Sequence, residues 1–302
     1  MSTTEITRRI SELKKNGNAL ILAHLYQLPE VQDISDFTGD SLELSRRAKE
    51  SSAEVIVLCG VTFMAETAKI LSPQKTVLLP EPDAGCPMAD MVSASDIERL
   101  RKEHPNAAVV CYVNSSAEVK AASDICCTSS NAIKVVESLS EDEIIFVPDR
   151  NLGRYVSGFF PEKRFIYHTG FCPVHELISV ADVKNARSLH PHASVLAHPE
   201  CSPEVLDLAD FIGSTAKIID YAGKSNRTEF IIVTETGILH RLNTLYPKKR
   251  FYPVRSDMTC RNMKKTTLQK VAAALENMQY PIHLDQGLID KAYACLDRML
   301  RL

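Results

Sequence analysis

AAVVCYVNSSAEVKAASDICCTSSNAIKVV, residues 107–136, decides the fold because the chain carries the same design three times. It recurs as NALILAHLYQLPEVQDISDFTGDSLELSRRA, residues 18–48, and as HASVLAHPECSPEVLDLADFIGSTAKIIDYA, residues 192–222. Glu-Val pairs begin at Glu30, Glu118 and Glu204, offsets of 88 and 86, and Asp36, Asp124 and Asp210 keep the same two offsets. Self-similarity at a fixed spacing marks repeated structural units.

The repeat continues outward in both directions. Downstream lie AEVIVLCGVTFMAETAKILSPQKTVLLP (53–80), DEIIFVPDRNLGRYVSGFFPEKRFIYH (142–168) and EFIIVTETGILHRLNTLYPKKRFYPV (229–254), with Pro73, Pro161 and Pro247 again offset by 88 and 86. Upstream, TTEITRRISELKKNG, SASDIERLRKEHPN and SVADVKNARSLHPH each read as an amphipathic helix. Short apolar strands alternating with such helices mean parallel sheets covered on both faces. The expected fold is α/β: three Rossmann-like, three-layer αβα units related by pseudo-threefold symmetry. The expected boundaries are residues 1–91, 92–178 and 179–302, the last range including C-terminal helices. No GxGxxG fingerprint occurs, so a dinucleotide is not indicated.

Composition narrows the function classes. The 302 residues are 45% hydrophobic and 24% charged, as in an ordinary soluble globular protein, and 35 Lys plus Arg against 38 Asp plus Glu leave a net charge of −3. No basic block stands out, which points away from nucleic acid. The N-terminus is polar, no apolar run approaches membrane-spanning length, and the expected location is the cytoplasm. In a reducing compartment nine cysteines are not a disulfide framework. Cys59 and Cys111 lie in strand-like runs, Cys295 in a helical pattern, and the neighbours Cys126 and Cys127 would face opposite sides of a strand, so these five read as packing residues.

In parallel sheets ligands bind beyond the carboxyl ends of the strands. There the first strands end in His24 and Tyr26, Tyr112 and Asn114, and His198 and Glu200, each pair spaced i, i+2. Five residues after each repeated Asp come Ser41, Ser129 and Thr215, opening helical runs where hydroxyls and helix N-termini suit an anion or simply cap the helix. Glu200, between Pro199 and Cys201 beside an apolar strand, needs a partner or a role. Relative to the repeated prolines, Cys86 follows by 13, Cys172 by 11 and Cys260 by 13, so one thiol comes from each unit. Three such thiolates could hold zinc with a fourth ligand such as His175, or a 4Fe-4S cluster with one iron open.

The segments HLYQLPEVQD (24–33), GVTFMAETAKIL (60–71), GCPMAD (85–90), YVNSSAEVKAASD (112–124), PDRNLG (148–153), GFCPVH (170–175), HPEC (198–201), GSTAKI (213–218) and FYPVRSDMTCRNMKKTT (251–267) resemble quinolinate synthase. The resemblance runs through nearly the whole chain. It implies an enzyme of NAD biosynthesis that condenses iminoaspartate with dihydroxyacetone phosphate to quinolinate, releasing phosphate and water. It implies one 4Fe-4S cluster on Cys86, Cys172 and Cys260, whose open iron acts as a Lewis acid. By the same resemblance Tyr26, His198 and Glu200 would surround the reacting carbons, Glu200 as general base, with Tyr112 and Asn114 near the open iron. His24 and His175 would stand behind them, and Ser41, Ser129, Ser214 and Thr215 would hold phosphate and carboxylates. The partners are then small molecules, with room for a transient contact with the enzyme that oxidises L-aspartate. One departure is that Asp257 stands three residues before Cys260, where some members carry CxxCxxC. The competing readings are another metal-dependent hydro-lyase or aldolase on phosphorylated trioses, and a non-catalytic iron–sulfur sensor.

Overall fold

A computed structural model describes residues 2–302. The first sheet is built from β1 (Ala19–His24), β2 (Phe37–Gly39), β3 (Val55–Cys59) and β4 (Thr76–Leu78); the second from β5 (Ala108–Tyr112), β6 (Ile125–Cys127), β7 (Glu143–Val147) and β8 (Arg164–Tyr167). The third comprises β9 (Ser194–Ala197), β10 (Phe211–Ile212), β11 (Glu229–Val233) and β12 (Arg250–Pro253). The strand orders are β2-β1-β3-β4, β6-β5-β7-β8 and β10-β9-β11-β12, all pairs parallel. One topology is thus repeated three times, with helices between successive strands, as the offsets predict.

The two inner strands of each sheet are buried on both faces because they are apolar at nearly every position rather than at alternate ones. In the first unit Ile21, Ala23, Val55 and Val57 pack with Ile6 and Ile10 of the helix Thr3–Asn16, while Leu22, Ile56 and Leu58 face the helices Ser41–Glu50 and Thr62–Leu71. In the third, Val195, Ala197, Ile231 and Val233 occupy one face and Leu196, Phe230 and Ile232 the other.

The repeated aspartates hold the central strand to its edge partner. Asp36, Asp124 and Asp210 accept the backbone N–H of Ile21, Val109 and Val195 at 2.8, 2.8 and 2.7 Å. Each also pairs with a cation of the preceding helix, respectively Lys14, Arg101 and Arg187. A second device repeats beside the prolines: Lys75, Lys163 and Lys249 donate to carbonyls at or just beyond the C-terminal ends of the helices that precede each third strand. A cation there satisfies orphan carbonyls and complements the helix dipole.

The two helices after the third unit break the symmetry. Leu268, Val271, Ala274 and Leu275 of the helix Leu268–Asn277 complete the first unit's core against Ile6 and Ile10. Ala292, Cys295, Leu296 and Met299 of the helix Gln286–Leu300 pack with the second unit, Cys295 Sγ lying 3.2 Å from Cys126 Sγ. Among the described residues no helix is long and apolar enough to cross a membrane.

Candidate active site

The carboxyl ends of the three central strands converge on one cavity enclosing about 710 Å³ of space not filled by atoms, part of it open to solvent. The first unit contributes His24, Tyr26, Ser41 and Cys86, and the second Tyr112, Asn114, Ser129, Cys172 and His175. The third adds His198, Glu200, Thr215 and Cys260. Of the residues expected at the site only Ser214 lies outside. Its buried hydroxyl caps the helix Thr215–Lys224, accepting from Lys217 N–H at 3.3 Å, and bonds Ser130 Oγ at 2.6 Å. Ser41 and Thr215 are the first helical residues; the caps are their predecessors Asp40 and Ser214. Ser129 stands before Asn131, where its helix begins, because Asn131 Oδ1 holds Thr128 in a turn.

The i, i+2 pairs reach the cavity by a turn rather than by strand extension. β1 and β9 stop at His24 and Ala197, and His24 Nδ1 accepts Tyr26 N–H at 3.1 Å as His198 Nδ1 accepts Glu200 N–H at 3.4 Å. Each imidazole thus shapes the loop that presents its partner.

Glu200 is the best-connected of these groups. Its carboxylate lies 2.8 Å from His175 Nδ1 and 3.6 Å from His198 Nδ1, and the Tyr112 hydroxyl donates to it. Burial alone would raise its pKa, but the two imidazoles and the hydrogen bonds from His175 and Tyr112 prevail and hold it at about 2. Burial holds His24 and His198 down at about 3, so both imidazoles are neutral at pH 7. Burial, reinforced by Glu200, pushes the Tyr26 and Tyr112 phenols well above their ordinary range. His175 Nε2 meets Thr234 Oγ1 at 2.7 Å, and Tyr26 OH reaches the same Thr234 oxygen at 2.7 Å. Burial also pushes the Cys86 thiol up to about 12 and the Cys172 and Cys260 thiols upward. The Asn114 Oδ1 atom is buried without a partner and borders the cavity, an acceptor placed for a donor.

Several contributors were not singled out from sequence. Asp149 and Glu235 follow the third strands of their units and accept the backbone N–H of Cys172 and Cys260, both at 3.1 Å. Glu235 also pairs with Lys264 at 2.9 Å, and the Lys264 ammonium bonds the Tyr26 carbonyl. Gly237 permits this approach, since a Cβ there would stand 2.8 Å from the Tyr26 Cα.

The family profile described as Quinolinate synthetase A protein matches residues 8–301. The chain belongs to the quinolinate synthase family. A relative named Quinolinate synthase from Caldicellulosiruptor bescii is 53% identical over 302 residues, covering 100% of both chains. Quinolinate synthase 2 of Methanosarcina acetivorans is 54% identical over 98% of this chain and 95% of its own, and Quinolinate synthase of Clostridium perfringens 51% over 99% of each. Membership of the quinolinate synthase family makes this an enzyme whose name places it in NAD biosynthesis.

Proposed function

We propose that this cavity condenses iminoaspartate with dihydroxyacetone phosphate to give quinolinate, one phosphate and two waters, which balances every atom of the two substrates. The observation that carries the reading is that one cysteine from each unit opens onto the same cavity as the buried, hydrogen-bonded carboxylate of Glu200. Soft thiolates from three separate loops, with no second cysteine in any of them, suit a 4Fe-4S cluster on Cys86, Cys172 and Cys260. When bound there, such a cluster supplies Lewis acidity through an iron that lacks a protein ligand.

The remaining work falls to the chain's own groups. Glu200 is stored ionised. An anionic substrate that repels it and competes for its His175 and Tyr112 donors raises its basicity towards the range useful for proton transfer. It then takes the proton whose loss makes the imine an enamine nucleophile. Neutral His198, within 3.2 Å of Ser129 Oγ, and Tyr26 carry protons to and from the triose oxygens. Ser41, Ser129 and Thr215 hold phosphate and carboxylates with hydroxyls and nearby backbone N–H groups. Val61, Phe63, Met88 and Met263 form an apolar wall that limits water around the unstable imine.

The test is anaerobic: the cluster-loaded chain is given iminoaspartate and dihydroxyacetone phosphate, and quinolinate is measured. Glu200→Gln is expected to keep the cluster spectrum yet lose about 10²-fold or more in turnover per cluster. Full cluster content with no quinolinate would overturn the reading in favour of another lyase or a sensor.

A further inference from the structure

Cys172, His175 and Glu200 bring a sulfur, an imidazole nitrogen and a carboxylate oxygen within 4.8 Å of one another, the one such constellation of three metal-type donors among the described residues. The spacing Cys172-Pro-Val-His175 is a single turn: Pro173 opens the helix Pro173–Glu176, and i, i+3 positions share a helix face. His175 Nδ1 is 3.2 Å from Cys172 Sγ and 2.8 Å from Glu200 Oε2. Donors bound to one tetrahedral ion at about 2.0–2.3 Å stand about 3–4 Å apart, so the two pairs through His175 match or need open only slightly, and the sulfur and carboxylate oxygen, within 4.8 Å, need at most a small closure.

The surroundings have the form of a metal site's outer shell. The second ring nitrogen of His175 faces the buried hydroxyl of Thr234 at 2.7 Å, the kind of contact that fixes the tautomer and ring orientation of a metal-bound imidazole. Tyr112 hydrogen-bonds Glu200. A thiolate, a carboxylate and a neutral imidazole around a divalent cation sum to zero charge, which suits a buried position. Mixed sulfur, nitrogen and oxygen donors select zinc over hard cations such as magnesium.

We propose that the cluster-free chain binds one zinc-class cation at Cys172, His175 and Glu200, and that this ion and the iron–sulfur cluster exclude one another because both need Cys172. On binding, the Cys172 thiol proton leaves to solvent and the imidazole proton resides on Nε2, donated to Thr234. Excess zinc would then arrest cluster assembly by withholding one of its three thiolates. The exclusion rests on the cluster assigned under the proposed function; the zinc site itself does not.

The experiment uses the full chain, reduced and stripped of metal, titrated with zinc against a chromogenic chelator, with cobalt as a spectroscopic substitute. One equivalent is expected, with the cobalt spectrum of a single thiolate. A Cys86→Ala, Cys260→Ala double variant should bind as the parent does, whereas Cys172→Ala and His175→Ala should bind at least about 10²-fold more weakly and Thr234→Val about 10-fold more weakly. If His175→Ala unfolds, His175→Gln serves in its place. No zinc bound, a three-thiolate cobalt spectrum, or equal loss in the double variant would overturn the site. Adding one equivalent of zinc during iron and sulfide reconstitution should lower iron uptake in the parent and not in His175→Ala; unaffected uptake in the parent would overturn the exclusion. All readouts are metal contents or spectra, so a failed quinolinate assay leaves this result standing on its own.

Discussion

In the third unit the loop after the third strand offers Glu235, and in the first unit the position with the same distance to the repeated proline is Val61. Glu235, wholly buried, gathers Cys260 N–H, Gly237 N–H and the Lys264 ammonium, and through Lys264 it reaches the Tyr26 carbonyl of the first unit. The first unit ties its cysteine loop without charge: Thr62 donates through its backbone N–H and its hydroxyl to Ala84 O, two residues before Cys86. The second unit has Asp149 at this position, a carboxylate with the same grip on Cys172 but no cation. Three copies of one topology thus hold equivalent cysteines by an ion pair, a lone carboxylate and a neutral hydroxyl. Fold symmetry fixes where the sulfurs go and leaves the chemistry of fixing them free to diverge.

Breaking the charged version should cost most. Glu235→Ala leaves the Lys264 ammonium facing a buried gap and should lose about 3–5 kcal/mol in urea unfolding. Val61→Ala, which removes two buried methyl-sized groups, should lose about 2 kcal/mol. Equal losses would erase the distinction between the units. Asp149→Asn comes next. An amide oxygen can accept from Leu152 N–H or Cys172 N–H but its nitrogen cannot, so about 1–3 kcal/mol should be lost by the same measurement.

An effect that is small per pH unit sharpens the comparison at the first-strand tips, where the units carry His24, Tyr112 and His198. Both imidazoles are held at about 3 by burial, against 6.5 when exposed. As pH falls from 6.5 towards 3 the unfolded chain takes protons that the folded chain refuses, so stability is lost across that window, by up to about 1.4 kcal/mol per pH unit for each imidazole. Glu200, held at about 2, adds a loss in the same direction below its ordinary 4.5. Replacing His24 with Gln should flatten the slope between 6.5 and 3 by one proton, while Tyr112→Phe should leave the slope between 6.5 and 4.5, above the range of Glu200, unchanged. Parallel slopes for His24→Gln and the parent would show that His24 titrates freely.

The fold was legible because its repeated residues do repeated local work. Asp36, Asp124 and Asp210 each bond a backbone group 15 residues upstream, so their offsets survive in the chain as an arithmetic signal. Lys75, Lys163 and Lys249 sit two residues after the repeated prolines and could have been found by the same subtraction. The strand-tip residues were legible because strand order alone sends them to one end of the sheets. Thr234, Glu235 and Asp149 were not, since a Thr or a carboxylate after an apolar run reads as an ordinary loop. Their meaning lies in contacts across units or across some twenty-five residues, such as Thr234 between Tyr26 and His175. Nor does any periodicity tell that the helix Leu268–Asn277 returns to the first unit.

That return of the C-terminal helices sets a timetable for synthesis. The strands of the second sheet have all left the ribosome once Tyr167 has, yet the surface around Cys126 stays uncovered until Cys295 and its neighbours on Gln286–Leu300 follow. At about 5–20 residues per second that interval is on the order of ten seconds. For that time an apolar face is open to chaperones or to a neighbouring nascent chain, so the middle unit, whose sheet is complete before the third begins, is among the last to be sealed.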